Sequence, residues 1–100
     1  MIIHQRELSY RENYPEFFQA LVKAKAHMEK KYPEISVELM DNLAGQRGRA
    51  TIQTRYASLA DYERIDAELD NDEEYSKLLE SIISAKGDLP VDQFYRVIKS

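Results

Sequence analysis

The chain has 100 residues, no cysteine, no tryptophan, three glycines, three prolines and a net charge of −4. That length makes residues 1–100 one domain, in which folding buries about 65% of the unfolded surface, enough for a core without disulfide staples. The lack of cysteine excludes disulfide scaffolds, thiol catalysis and zinc ribbons, and no apolar run reaches the roughly 18 residues of a membrane span. With no signal-like apolar segment after Met1, the expectation is a soluble, cytoplasmic protein. Residues 1–50 carry eight Lys/Arg against seven Asp/Glu, whereas residues 51–100 carry six against eleven, mostly between Asp61 and Glu80. An acidic surface repels phosphate backbones, which argues against a nucleic-acid partner; the acidic run reads as a solvated helix face.

Ile2 to Tyr10 reads as a strand with imperfect alternation. Asn13 and Glu16 form a capping box, and a helix is predicted from about Tyr14 to Tyr32, stopped by Pro33. At 100° per residue, Phe17, Leu21, Ala24, Met28 and Tyr32 share one stripe, flanked by Phe18 and Val22. Ile35–Met40 and Ala50–Tyr56 alternate cleanly and predict a β-hairpin around the loop at 42–48. Because Leu39 and Ile52 must share a face, odd residues of one strand oppose even residues of the other, and Glu38, Met40, Thr51, Gln53 and Arg55 occupy the opposite face.

Ser58 and Asp61 open a helix bearing Leu59, Tyr62, Ile65 and Leu69. Tyr75, Leu78, Leu79, Ile82 and Ile83 lie on a face rotated by more than about 100°. Two helices are therefore predicted, about 59–69 and 72–86, broken at Asp70-Asn71, with Asn71 and Glu74 as a further capping box and Gly87 as the stop. Val91–Ile98 is rich in strand formers. The order β-α-β-β-αα-β is the ferredoxin-like α+β plan: a four-stranded antiparallel sheet with helices on one face.

Three passages resemble the dimeric α+β barrel superfamily, and within it small NIPSNAP-type proteins. His4 to Phe18 resembles the opening strand with its arginine, here Arg6, and the loop into an aromatic-bearing helix. Tyr56 to Arg64 resembles the segment after the third strand, where a Ser-Leu pair opens a helix, and Asp72 with Tyr75 resembles the Asp and downstream aromatic of the next. With the closing Tyr95-Arg96-Val97 the likeness spans nearly the whole chain, although Glu12-Asn13 stands where Pro-Gly is usual and Tyr75 where Trp is. The resemblance implies a homodimer closing a barrel, in a superfamily that includes cofactor-free monooxygenases, isomerases, haem-degrading enzymes and members with no assigned activity. The haem-degrading members depend on a tryptophan, absent here, so no haem or other cofactor is expected.

The residues themselves offer little chemistry. His27 reads as exposed and inert, among Lys23 and Lys31. Neither histidine has metal-ligand spacing, so no metal is expected, and the cluster from Asp70 to Glu74 lacks the glycine of a calcium loop. Arg47 and Arg49 flank a glycine turn and read as solvated. The ligand-binding candidates are the strand-borne polar residues His4, Arg6, Glu38, Gln53, Arg55 and Tyr95, with His4 placed on the open side of the sheet. These residues either satisfy one another or are completed by a ligand's oxygens, between helices and sheet or inside a dimer barrel. Two functions stay open: a dimeric protein that binds a small organic ligand or a partner, and a cofactor-free monooxygenase or isomerase acting on a small aromatic or polyketide-like substrate. For the second, His4, Glu38 and Tyr95 are the candidates for proton transfer.

Overall fold

A computed structural model describes residues 1–12, 14–42, 48–83, 87 and 90–98. The order is β1 (Ile2–Ser9), α1 (Tyr14–Lys31), β2 (Ser36–Asp41), β3 (Arg49–Tyr56), α2 (Leu59–Asp70), α3 (Glu73–Ile83) and β4 (Val91–Arg96). The strands form one antiparallel sheet in the order β2-β3-β1-β4, the ferredoxin-like arrangement expected from the pattern of elements.

The apolar stripe of α1 packs on the sheet as its period dictates: Phe17, Leu21, Ala24, Met28 and Tyr32 are buried, joined by Ala20, while Val22 points to solvent. The hairpin has the predicted register, with Leu39 opposite Ile52 and Glu38 opposite Gln53. Two apolar clusters result. One gathers Leu8, Phe17, Leu21 and Ile82, and the other Met28, Val37, Tyr56, Ile65 and Leu69. Leu39 and Ile52 pack against both.

The two C-terminal helices break where expected, by a different cap. Asn71 closes α2 with its backbone N–H, and Asp72, not Asn71, opens α3: its Oδ1 accepts from the Tyr75 N–H at 3.1 Å. The Ser58 cap holds, its hydroxyl accepting from the Asp61 N–H at 3.2 Å. Asn13 of the first capping box, Arg47 in the hairpin loop, and residues 84–86 of the third helix lie outside the described residues.

Two glycines are required by close approach. Gly48 has φ +74°, and a Cβ there would lie 3.2 Å from the Tyr10 carbonyl oxygen, on the residue whose N–H bonds the Gly48 carbonyl at 2.8 Å. A Cβ on Gly87 would overlap the backbone carbonyl of Ser9, so the return to β4 passes directly over the end of β1.

The helices cover one face of the sheet. Ile2, His4, Arg6 and Leu8 of β1 lie on that covered face; Ile3, Gln5, Glu7 and Ser9 lie on the open one. Strand β4 is exposed along its whole length. Among the described residues, no helix is long and apolar enough to cross a membrane.

Candidate functional site

Where the two core clusters meet, the covered face is not filled. A cavity of about 200 Å³ lies between helices and sheet, walled by Leu21, Met28, Leu39, Ile52 and Leu79 and reaching His4, Arg6 and Tyr75. A concave, largely apolar space with a few convergent polar groups is the usual form of a small-molecule site.

The polar end is built by cross-strand register. Arg6 lies opposite Asp92 on β4, and His4 lies opposite Phe94. Arg6 Nε donates to Asp92 Oδ1 at 2.6 Å and Nη2 donates to Oδ2 at 3.1 Å, the two-point fit that a planar guanidinium makes with a carboxylate. His4 Nε2 lies 3.0 Å from the same Oδ1. With that nitrogen donating to the carboxylate, Nδ1 is the ring's acceptor.

The His4 ring is also held on its faces and edges. Phe94 stacks on it with centroids 4.6 Å apart, and Tyr62 meets it edge-on at 5.5 Å. Tyr62 in turn contacts Phe94 at 4.9 Å, so the imidazole sits in a small aromatic frame.

Electrostatics favour the charged forms of Arg6 and Asp92 and the neutral forms of the nearby phenols. The Arg6 hydrogen bonds, with His4 adding to them, hold the Asp92 carboxyl below the ordinary carboxylate range, and Asp92 raises Arg6 in return. Burial pushes the phenols of Tyr56, Tyr62 and Tyr75 up, so each is a neutral hydroxyl able to donate. Arg6 and Asp92 form a balanced ion pair, and Lys25 and Asp66 also line the cavity.

The six candidate residues divide between the two faces. His4 and Arg6 line the cavity; the expected placement of His4 on the open side is overturned, because its parity with the buried Ile2 and Leu8 turns it toward the helices. Glu38, Gln53, Arg55 and Tyr95 share the open face and do not meet the cavity. There Glu38 is directly opposite Gln53 and diagonal to Arg55, and the Tyr95 hydroxyl donates to Gln93 Oε1 at 2.5 Å.

Asp92, Tyr75, Tyr62 and Phe94 were not among the binding candidates read from the sequence. The available signal was parity: once β1 and β4 are paired, the arginine of one strand selects the carboxylate of the other.

Two other expectations are corrected. His27 is not inert: Nε2 lies 2.6 Å from Asp72 Oδ2, and its side chain is 16% exposed. Lys31 Nζ reaches the same oxygen at 3.0 Å, so α1 grips the cap of α3. The His27 hydrogen bond, then the Tyr75 N–H, then Lys31 hold Asp72 well below the ordinary carboxylate range. Arg49 is not simply solvated either; it donates to Glu7 at 3.2 Å with only 19% of its side chain exposed.

No protein-family model matches the chain, and no curated protein matches its sequence. Solved structures do match its fold. A protein of Caulobacter crescentus CB15 provisionally named an antibiotic biosynthesis monooxygenase superposes with TM-score 0.82 at 13% identity, over 98% of this chain and 90% of that one. An uncharacterized NIPSNAP domain protein of Burkholderia xenovorans gives 0.77 at 14% identity, over 98% and 95%. A NIPSNAP family protein of Agrobacterium tumefaciens C58 gives 0.75 at 13% identity, over 97% and 85%. The likeness to NIPSNAP-type proteins read from the sequence is thus present in the fold, a ferredoxin-like α+β arrangement shared with the monooxygenase-named structure.

Proposed function

We propose that the protein binds a small, uncharged aromatic molecule bearing a hydroxyl group in the cavity between helices and sheet, and that it works as a soluble, cytoplasmic homodimer joined through the open face. The observation that carries the ligand reading is a largely apolar cavity that reaches His4 and Arg6, both held by Asp92. Because Asp92 occupies Arg6, a carboxylate ligand gains little there. A hydroxyl can donate to His4 Nδ1 and accept from the neutral Tyr75 phenol, replacing the hydrogen bonds it loses to water. Support for the dimer comes from surface area: the chain exposes 6796 Å², against about 5,900 Å² for a compact monomer of its mass.

Fluorescence titration with 2-naphthol, naphthalene and 2-naphthoate tests the ligand reading. The expected result is 2-naphthol binding at least tenfold tighter than either comparator, with that advantage lost in His4→Phe. Equal binding of all three, or an unchanged advantage in His4→Phe, overturns it. Light scattering behind a sizing column tests the dimer.

The His4–Asp92 hydrogen bond favours a second reading, a cofactor-free monooxygenase or isomerase. A carboxylate-oriented imidazole is a general base, and in that reading His4 Nδ1 takes a proton from the bound ring system. The provisional name of the Caulobacter protein agrees with this reading. Dioxygen uptake with 2-naphthol under air, present in the native protein and absent in His4→Phe, separates catalysis from binding.

A further inference from the structure

Arg6, Lys25 and Asp66 all reach the wall of the cavity, but their circumstances differ. Arg6 is held at two points by Asp92. Lys25, on α1, donates to Glu29 Oε1 at 2.5 Å, and the other oxygen of Glu29 accepts from the Val37 N–H at 3.2 Å. Asp66, on α2, has neither a hydrogen bond nor an ion pair with any described residue.

We infer that Asp66 is a second point of attachment for the ligand, and that it selects an aromatic molecule with a second hydroxyl on a different ring from the one held at His4. The inference rests on the ligand reading proposed above and adds the ligand's second polar group.

The helical period sets the spacing. Tyr62, whose ring meets the His4 imidazole at 5.5 Å, lies four residues before Asp66 on α2. Residues so spaced are neighbours on one side of a helix, about 6 Å apart. Two hydroxyls on adjacent carbons of one ring are too close together to span a helical turn of about 5.4 Å, whereas hydroxyls on different rings of a fused pair are not.

The chemistry sets the group. A carboxylate only accepts, so the ligand's second group must donate: a hydroxyl qualifies and a methyl ether does not. Lys25 offers no competing site for that group, since Glu29 already engages it. Burial above all, with Asp66 adding to it, pushes the phenols of Tyr56, Tyr62 and Tyr75 up. Asp66 therefore stands close to three neutral rings, which give an aromatic ligand surfaces to pack on. Asp66 is itself exposed, at the rim of the cavity, so water satisfies it until a ligand hydroxyl takes that place.

Fluorescence titration with 2,6- and 2,7-dihydroxynaphthalene, beside 2-naphthol and 6-methoxy-2-naphthol, tests the second point. At least one of the two diols is expected to bind at least fivefold tighter than 2-naphthol, and the methyl ether no tighter. In Asp66→Ala the ratio of diol to 2-naphthol affinity should fall to about one; taken within one variant, that ratio does not depend on the variant's stability. For 2,3-dihydroxynaphthalene, with both hydroxyls on one ring, the ratio should be the same in both proteins. If neither diol gains over 2-naphthol, or the gain survives Asp66→Ala, the second point is overturned and the preference for 2-naphthol over naphthalene still stands. Absence of that preference in the native protein removes the ligand reading and the second point with it.

Discussion

The two faces of the sheet use similar polar residues in different ways. On the covered face His4 and Arg6 share one carboxylate from a neighbouring strand, and the phenols around them are neutral, so the group is complete within a single chain. On the open face Glu38, Gln53, Gln5 and Gln93 lie in a row, with Gln93 engaged by Tyr95 and the row itself facing outward. In the proposed function, a polar group already paired within the chain suits a ligand that needs no charge. The open row of carboxamides lies on the face through which the homodimer is proposed to form.

The sharpest way to break that contrast is to truncate one large side chain on each face. Phe17 is fully buried beneath the helices, and Phe17→Ala should lower unfolding stability by about 3–5 kcal/mol at any protein concentration. Met40→Ala on the open face should cost little at low concentration and lower the melting temperature progressively more as concentration rises, because in the proposed dimer its partner is another chain. Denaturant titrations and melts at two protein concentrations check both. A concentration-independent loss in Met40→Ala would falsify the contrast.

A smaller effect is expected from pH. Asp92 is held below its ordinary range by Arg6 and His4, so its folded pKa lies under its unfolded one. Its contribution is therefore fully present above the unfolded carboxylate value near pH 4 and is lost as pH falls from there toward the folded pKa. Asp92→Asn should flatten that part of the stability–pH curve, and Asp72→Asn should do the same for the joint between α1 and α3. Urea unfolding between pH 2 and 7 reads both slopes; unaltered slopes would mean that these carboxylates are not held as the geometry indicates.

The smallest effect sharpens the comparison. The Arg49–Glu7 pair should couple by less than about 1 kcal/mol in a double-mutant cycle at concentrations where the chain is monomeric. If the proposed dimer covers this face, the coupling should change, since burial alters the desolvation of both charges.

Much of the fold was legible because it is local. The spacing of Phe17, Leu21, Ala24, Met28 and Tyr32 states a helix and its buried side, and the phase jump between Leu69 and Tyr75 states the break at Asp70-Asn71. Leu39 and Ile52 set the hairpin register from alternation alone.

The site was less legible, because its defining contact joins residues 86 positions apart in sequence. His4 and Arg6 look like solvent-facing polar residues until Asp92 is placed beside them, which needs the pairing of the first and last strands. His27 misled for the same reason: its partner lies 45 residues away, on a cap that sequence spacing assigned to Asn71. Polar residues at buried parity, such as His4 and Arg6 between Ile2 and Leu8, are the trace that such long-range pairs leave in a sequence.

Gly87 extends this dependence on distance to heredity. It places no atom in the cavity, yet its bare Cα lets the chain cross the end of β1 against the Ser9 carbonyl. Any side chain there lifts the approach to β4, and Asp92 stands only five residues farther along. A change at position 87 therefore requires the backbone near Ser9 to give way, on the strand approach that leads to the carboxylate at 92. Drift in the polar end of the cavity is thus constrained from a position that never touches it.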